Sequence, residues 1–359
     1  MEMNLKKYQR AITISTFLIL IIGIYMVRDS SLVWAKYLYN DENYYFKRQL
    51  IYGIIGTIIF FLAKKIKLDF LKKYCSLFLL LSLILLIITL IPGIGILKNG
   101  SRSWLGFSFL SFQPSEFFKI SLILFFSLYI EKYYYDTKKI RYLIPLFIIM
   151  IIGFILIMLQ PDFGTCMVLA ISLFIILYCS RLKNSWFVIF ICLGLVGVSS
   201  LILLESYRLE RITSFLSPFS DPLGSGFQII QSLYALGPGG LVGKSESIQK
   251  YYYLPEPQTD FIFAIYVEEF GLIGGLILIF LYGVIIYSSF KIIANSKSLF
   301  KSFSSLGLLS LFMIQTIINL GVVISLFPVT GITLPLMSYG GSSLIVVLFS
   351  LGLIVSESN

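Results

Sequence analysis

Residues 75–92 read CSLFLLLSLILLIITLIP, a stretch without a single charge. A helix rises about 1.5 Å per residue, so a run of this length nearly crosses the roughly 30 Å hydrocarbon core of a bilayer. The pattern recurs along the chain. Uncharged apolar runs occupy residues 11–27, 49–63, 143–159, 165–180, 186–204, 270–290, 303–326 and 337–355, and one more, 117–130, is interrupted only by Lys119. None alternates apolar and polar with the period of a strand, and backbone in lipid must satisfy its own hydrogen bonds, so the runs are read as helices. The expected architecture is an all-α polytopic integral membrane protein with about ten transmembrane helices, a single domain over residues 1–359. One long extracytoplasmic loop, about 205–260, lies between helices 7 and 8.

Composition agrees. The 359 residues are 58% hydrophobic and only 13% charged, against roughly 25% charged in a soluble domain. The net charge of +10 suggests nucleic acid at first sight, but its distribution does not. The short connections on one side carry Lys64, Lys65, Lys67, Lys72 and Lys73, then Lys132, Lys138, Lys139 and Arg141, then Arg181 and Lys183, then Lys291, Lys297 and Lys301. This is the positive-inside bias; it predicts both termini in the cytoplasm and makes the basicity topological. Lys6, Lys7 and Arg10 precede the first run as in a signal peptide, yet no small-residue cleavage site follows, so a retained first span is expected. The four cysteines, Cys75, Cys166, Cys179 and Cys192, fall in the spans and are expected to be buried packing residues. Tyr133–Tyr135 and Tyr251–Tyr253 suit an interfacial aromatic belt. With no histidine in the chain, any proton transfer must use carboxylates, lysine or tyrosine.

Threaded onto that topology, the polar islands fall on the non-cytoplasmic side. Arg102 and Trp104 precede Gln113-Pro114-Ser115-Glu116, and Gln160-Pro161-Asp162 opens another span. The bland explanation for the last two is that proline suits a first turn and an acid there complements the helix dipole. Lys119 shares a helix face with Glu116, and a lysine within a span needs either an anionic ligand or a buried carboxylate. In the long loop, Gly237-Pro238-Gly239-Gly240-Leu241-Val242-Gly243-Lys244-Ser245 lacks the glycine spacing of a phosphate loop. Its glycines, with Arg208, Arg211, Lys244 and Lys250, still suit either plain loop flexibility or a pyrophosphate cradle. Leu254-Pro255-Glu256-Pro257-Gln258-Thr259-Asp260 ends that loop at the edge of a hydrophobic segment that also holds Glu268 and Glu269. A half-shielded carboxylate there suits a general base or a divalent cation, with Glu256 four residues earlier. Glu268 and Glu269 suit structural pairing.

At these motifs the chain resembles the SEDS family of bacterial membrane proteins (FtsW, RodA and SpoVE). The matching segments run in order: Tyr45-Phe46-Lys47-Arg48-Gln49-Leu50, Arg102-Ser103-Trp104, Gln113 to Glu116 with Lys119, Gln160 to Thr165, Gly226-Phe227-Gln228 with Gln231-Ser232, Leu254 to Phe263 with Glu268 to Gly271, Asn319, and Gly331 to Ser343. The resemblance implies ten transmembrane helices and a peptidoglycan glycosyltransferase that polymerises lipid II outside the cytoplasmic membrane. It puts the essential aspartate on Asp260 and suggests substrate-binding roles for Arg102, Glu116, Lys119 and Asp162, to which Arg208, Arg211, Lys250, Glu256 and Ser342 are added as candidates. A class B penicillin-binding protein transpeptidase is the implied partner, with divisome or elongasome proteins. A magnesium or manganese ion, held by Asp260, is the one cofactor considered. Pro255 to Gln258 and Pro328 to Thr333 are more similar to the FtsW/SpoVE branch, which implies septal wall synthesis. Elongation, sporulation, lipid II flipping and scaffolding of a transpeptidase are the alternatives. Ser245 stands where many relatives have glycine.

Overall fold

The computed structural model describes residues 2–98, 100–107, 110–203, 205–244, 254 and 256–356. Among the described residues, ten helices answer the ten apolar runs: α1 (Glu2–Tyr39), α2 (Tyr44–Lys64), α3 (Leu68–Leu90), α4 (Pro114–Lys132), α5 (Ile144–Met158), α6 (Phe163–Tyr178), α7 (Asn184–Leu203), then, past two shorter described helices, α10 (Ile262–Ala294), α11 (Leu299–Val323) and α12 (Gly341–Val355). By length and composition α1, α2, α3, α7, α10 and α11 suffice to cross a membrane, whereas α5, α6 and α12 are shorter and apolar. The protein is a multi-pass membrane protein. Local chemistry sets several boundaries. Pro114 opens α4 with Glu116 in its first turn, Asp162 caps α6 through Thr165 N–H, and Ser298 caps α11 through Lys301 N–H.

Burial separates centre from rim. The spanning stretch of α11 is 78% buried and that of α7 only 6%, so α11 is the axis and α7 an outlying strut. Around that axis α2 packs along α12, α1 along α10 and α3 along α4, while α11 contacts both α4 and α6. This arrangement corrects the reading of the cysteines. Cys75 and Cys166 are buried, but Cys179, just past the end of α6, and Cys192, on the outlying α7, are exposed.

Between α3 and α4 lies a small antiparallel sheet, β1 (Ile96–Lys98), β2 (Ser101–Phe107) and β3 (Leu110–Phe112), in the order β1-β2-β3. The hydropathy pattern contained no sign of it, because its strands are short and mixed. The long connection before α10 is likewise not plain loop. It folds into α8 (Ser206–Leu216) and α9 (Phe227–Gly239), the latter running through Pro238 and packed on α10.

Two departures from regular helix shape the site. The helix α10 begins at Ile262 rather than near 270 and is broken at Gly271, whose φ of 67° and ψ of −172° are essentially closed to other residues. The glycine-rich segment after α9 fills the break: Lys244 N–H donates to Glu268 O, Leu272 N–H to Gly240 O and Ile273 N–H to Leu241 O. The second departure is the connection from α11 to α12. It dips back into the bundle, so that Pro335 O accepts from the Tyr282 hydroxyl midway along α10 at 2.6 Å and Leu336 lies against Gly23 of α1. Leu334, Leu336 and Met337 are buried there. Non-helical backbone at such depth is tolerated because protein surrounds it.

Gly271→Ala tests the break. Its Cβ would lie 2.4 Å from both Gly243 N and Leu241 O. The backbone strain alone costs about 1–3 kcal/mol. A clearly lowered melting temperature of the purified protein in detergent is expected; an unchanged one would mean that α10 runs straight.

Candidate active site

The starts of four helices meet on one side of the bundle. At the start of α4, Gln113 N–H donates to Ser342 Oγ at the start of α12 (3.0 Å), and Gln113 Nε2 donates to Asp162 Oδ2 at the start of α6 (3.1 Å). Asp162 is held in turn by Thr165, through N–H to Oδ1 at 3.0 Å and hydroxyl to Oδ2 at 2.8 Å. Gly164 packs against Thr330 O and Ile332 of the re-entrant connection. The next residue along, Gly331, has φ of 73°, and a Cβ on it would stand 3.8 Å from Asp260 Oδ2. Asp260 itself lies two residues before α10. Helix N-termini carry positive partial charge, so this convergence favours an anion.

Asp260 is partly exposed, and burial pushes its carboxyl up to about 6. Arg211 on α8 pulls the other way, and the Glu256 carboxylate adds to the rise. The guanidinium of Arg211 is fixed by donating to Val329 O at 3.0 Å, on the segment that carries Gly331. Glu256 is exposed, with φ of 47°, and its carbonyl accepts from both the N–H and the hydroxyl of Thr259. Asp260, Arg211 and Glu256 thus form one group.

The other expected residues take different places. Lys119 donates to Glu116 Oε1 at 2.8 Å and both side chains are buried, so of the two partners open to this lysine the structure supplies the carboxylate. Lys119 lines a small cavity with Leu308, Leu311, Phe312 and Gln315 of α11. Asp162 fits its helix-capping reading, and Ser342 is committed to the backbone of Gln113. Arg208 is buried, donates to Leu201 O at 2.7 Å and lies over the Phe163 ring at 5.6 Å, beside the start of α6. Arg102 stands on β2, partly exposed, with its stem against Gly95. Lys250, Ser245 and Tyr251–Tyr253 lie outside the described residues. Of the amides a pyrophosphate cradle could use, Gly243 N–H donates to Gly239 O and Lys244 N–H to Glu268 O, so these two fasten the backbone.

Sequence reasoning gave no role to Gln49, Gln258, Asn319 and Ser338, naming Asn319 singly and the other three only inside motifs. All four are buried around the Asp260 loop, and Gln49 reaches the re-entrant connection by donating to Ser338 O at 3.1 Å. Asn319 carried a usable signal, since an amide inside an apolar span is costly without a partner. Among the described residues, no group of three or more His, Cys, Asp or Glu suits a metal ion.

Residues 9–359 match the FtsW/RodA/SpoVE family model, described as cell cycle protein. The chain belongs to the SEDS family. Stage V sporulation protein E of Bacillus subtilis (strain 168) is 44% identical over 350 residues, covering 97% of this SEDS chain and 96% of that protein. The probable peptidoglycan glycosyltransferase FtsW of Wigglesworthia glossinidia brevipalpis is 40% identical over 342 residues, covering 93% and 89%. Among solved structures, one described as "Structural coordination of polymerization and crosslinking by a peptidoglycan synthase complex" superposes with a TM-score of 0.78 at 29% identity, covering 96% and 95% of the two chains. The rod shape determining protein RodA of Thermus thermophilus gives a TM-score of 0.70 at 25% identity, covering 96% and 94%.

The raised carboxyl makes a stability prediction for this SEDS protein. A folded-state value near 6 against an ordinary 3.8 means that ionising Asp260 costs stability as pH rises through that window. Asp260→Asn should therefore melt above the native protein at pH 7.5, the gap closing as pH falls toward 4. An equal melting temperature at pH 7.5 would show that the carboxylate is well solvated.

Proposed function

We propose that the protein is a peptidoglycan glycosyltransferase that polymerises lipid II into glycan strands at the outer face of the cytoplasmic membrane, with both termini in the cytoplasm. The observation that carries this reading is the Asp260 carboxyl, raised to about 6 beside Arg211 and close to a convergence of helix starts. A general base works best with a pKa near the working pH, and carboxylates are tuned upward by burial to reach it. The names of the FtsW relatives support the same activity.

In the proposed reaction the acceptor sugar hydroxyl gives its proton to Asp260 while its oxygen forms a bond to the anomeric carbon of the lipid-linked donor. The bond from that carbon to the lipid pyrophosphate breaks, with inversion and without a covalent enzyme intermediate. The leaving group is already activated, so it needs charge neutralisation more than a proton. Arg211 is a cation that acts electrostatically on Asp260, and the helix starts add positive potential. Arg102 and Arg208 are the further cations proposed for the lipid-linked substrates. Lys119 serves through its pairing with Glu116, which leaves it no free charge for the pyrophosphate. With Asp260 taking the proton, Glu256 is the carboxylate left for a magnesium or manganese ion. Such ions are commonly held by one or two carboxylates together with substrate phosphates, and the ion would supply leaving-group neutralisation.

We assign the protein to septal wall synthesis with a class B penicillin-binding protein transpeptidase, within the divisome. A structural relative described as coordinating polymerisation and crosslinking supports the pairing. The sporulation relative at 44% identity favours spore wall synthesis as a second reading. Depletion separates them: filamentous growing cells support division, and normal division with defective spores supports the second.

Asp260→Ala in purified full-length protein supplied with lipid II should lower glycan polymerisation by about 10²–10⁴-fold with folding intact. Polymerisation by the native protein should fall about tenfold per pH unit below about 6, as the base becomes protonated. Undiminished polymerisation by Asp260→Ala, or a glycosyl adduct trapped on Asp260, would contradict the mechanism. The first result would remove Asp260 as the base, whereas no polymerisation by the native protein would leave flipping or scaffolding as the role.

A further inference from the structure

Three consecutive carbonyls at the end of the Asp260 loop are each fastened by a different group from one part of the bundle. Gln258 O accepts from Tyr339 N–H at 2.8 Å, Thr259 O from the Ser338 hydroxyl at 2.6 Å, and Asp260 O from Asn319 Nδ2 at 2.8 Å. Two of the donors are shared. Asn319 Nδ2 also donates to Ile332 O at 2.8 Å, and Ser338 Oγ also accepts from Leu334 N–H at 2.8 Å. Asn319 is 1% exposed and Ser338 4%, so both donors are shielded from water. Asn319 projects from α11, the most buried of the six long apolar helices, and is therefore carried on a packed, rigid element.

The same two side chains tie the loop to the middle of the re-entrant connection: Asn319 through Ile332, next to Gly331, and Ser338 through Leu334. Asp260 has Gly331 beside its carboxylate and Arg211, clamped to Val329 O, as its cationic neighbour. Base, cation and glycine are thus referred to one frame. A loop free at these carbonyls would let the carboxylate drift by an ångström or more, and misplacement of about 1 Å costs on the order of 10²-fold in rate.

We propose that Asn319, together with Ser338, is a positioning residue for Asp260: the two side chains hold the peptide that carries the carboxylate in register with Arg211 and Gly331. The proposal rests on the reading of Asp260 as the base. Neither residue has to touch the substrate, so their loss acts on turnover and spares affinity.

The test is steady-state polymerisation of lipid II by purified full-length Asn319→Leu, Ser338→Ala and Ser338→Thr, with rates normalised to monodisperse folded protein. Expected is a kcat lowered about 30- to 100-fold in the first two with KM within about twofold, and recovery to within about threefold in Ser338→Thr, which keeps the hydroxyl. A KM raised tenfold with kcat retained, or a Ser338→Thr as slow as Ser338→Ala, overturns the proposal. Should Asn319→Leu not yield folded protein, the Ser338 pair decides alone. Asp260→Ala is assayed alongside. If it polymerises normally the base reading falls, whereas an inactive Asp260→Ala with fully active Asn319→Leu and Ser338→Ala removes only the positioning role.

Discussion

A backbone carbonyl within a membrane bundle has no bulk water to turn to, and leaving one unmet costs about 1–3 kcal/mol. The re-entrant connection between α11 and α12 meets that constraint residue by residue. Val329 O is met by Arg211, Ile332 O by Asn319, Pro335 O by Tyr282 and Ser338 O by Gln49. The donors come from α8, α11, α10 and α2. One irregular segment therefore fixes the mutual placement of four helices, and with them the loop that ends in Asp260.

The spans were legible because their physics is local. A bilayer demands length and apolarity, and both are visible in residues 75–92 or 186–204 without any knowledge of neighbours. The break at Gly271 was not visible, because it depends on Gly240, Leu241 and Lys244 arriving from a distant connection. The sheet of residues 96–112 escaped for a related reason: three short strands gain their stability from pairing with each other, not from a periodic pattern in any one of them.

The site divides in the same way. Asp260 stood out because a carboxylate beside an apolar segment demands a reason. The pairing of Lys119 with Glu116 followed from their spacing on one helix. Asn319 gave only the general signal of an amide inside an apolar span, and Ser338 gave none, since a hydroxyl in an apolar sequence also suits ordinary packing. Their meaning lies in which carbonyls they face, and those belong to residues 59 and 79 positions away. Long-range geometry, not residue type, turned them into candidates.

The interruption of α10 at Gly271 has a mechanical side. A continuous helix acts as a lever, and any tilt of its membrane portion would sweep its outer end through space. Here the backbone of residues 240–244 bridges the break: Lys244 N–H donates to Glu268 O on the Asp260 side of Gly271, and Leu272 and Ile273 N–H on the far side donate to Gly240 and Leu241 O. Gly271 is thus a braced joint: the two arms of α10 meet at an angle set by residues 240–244, and a lean of the longer arm reaches the Asp260 end through that brace as well as through the helix.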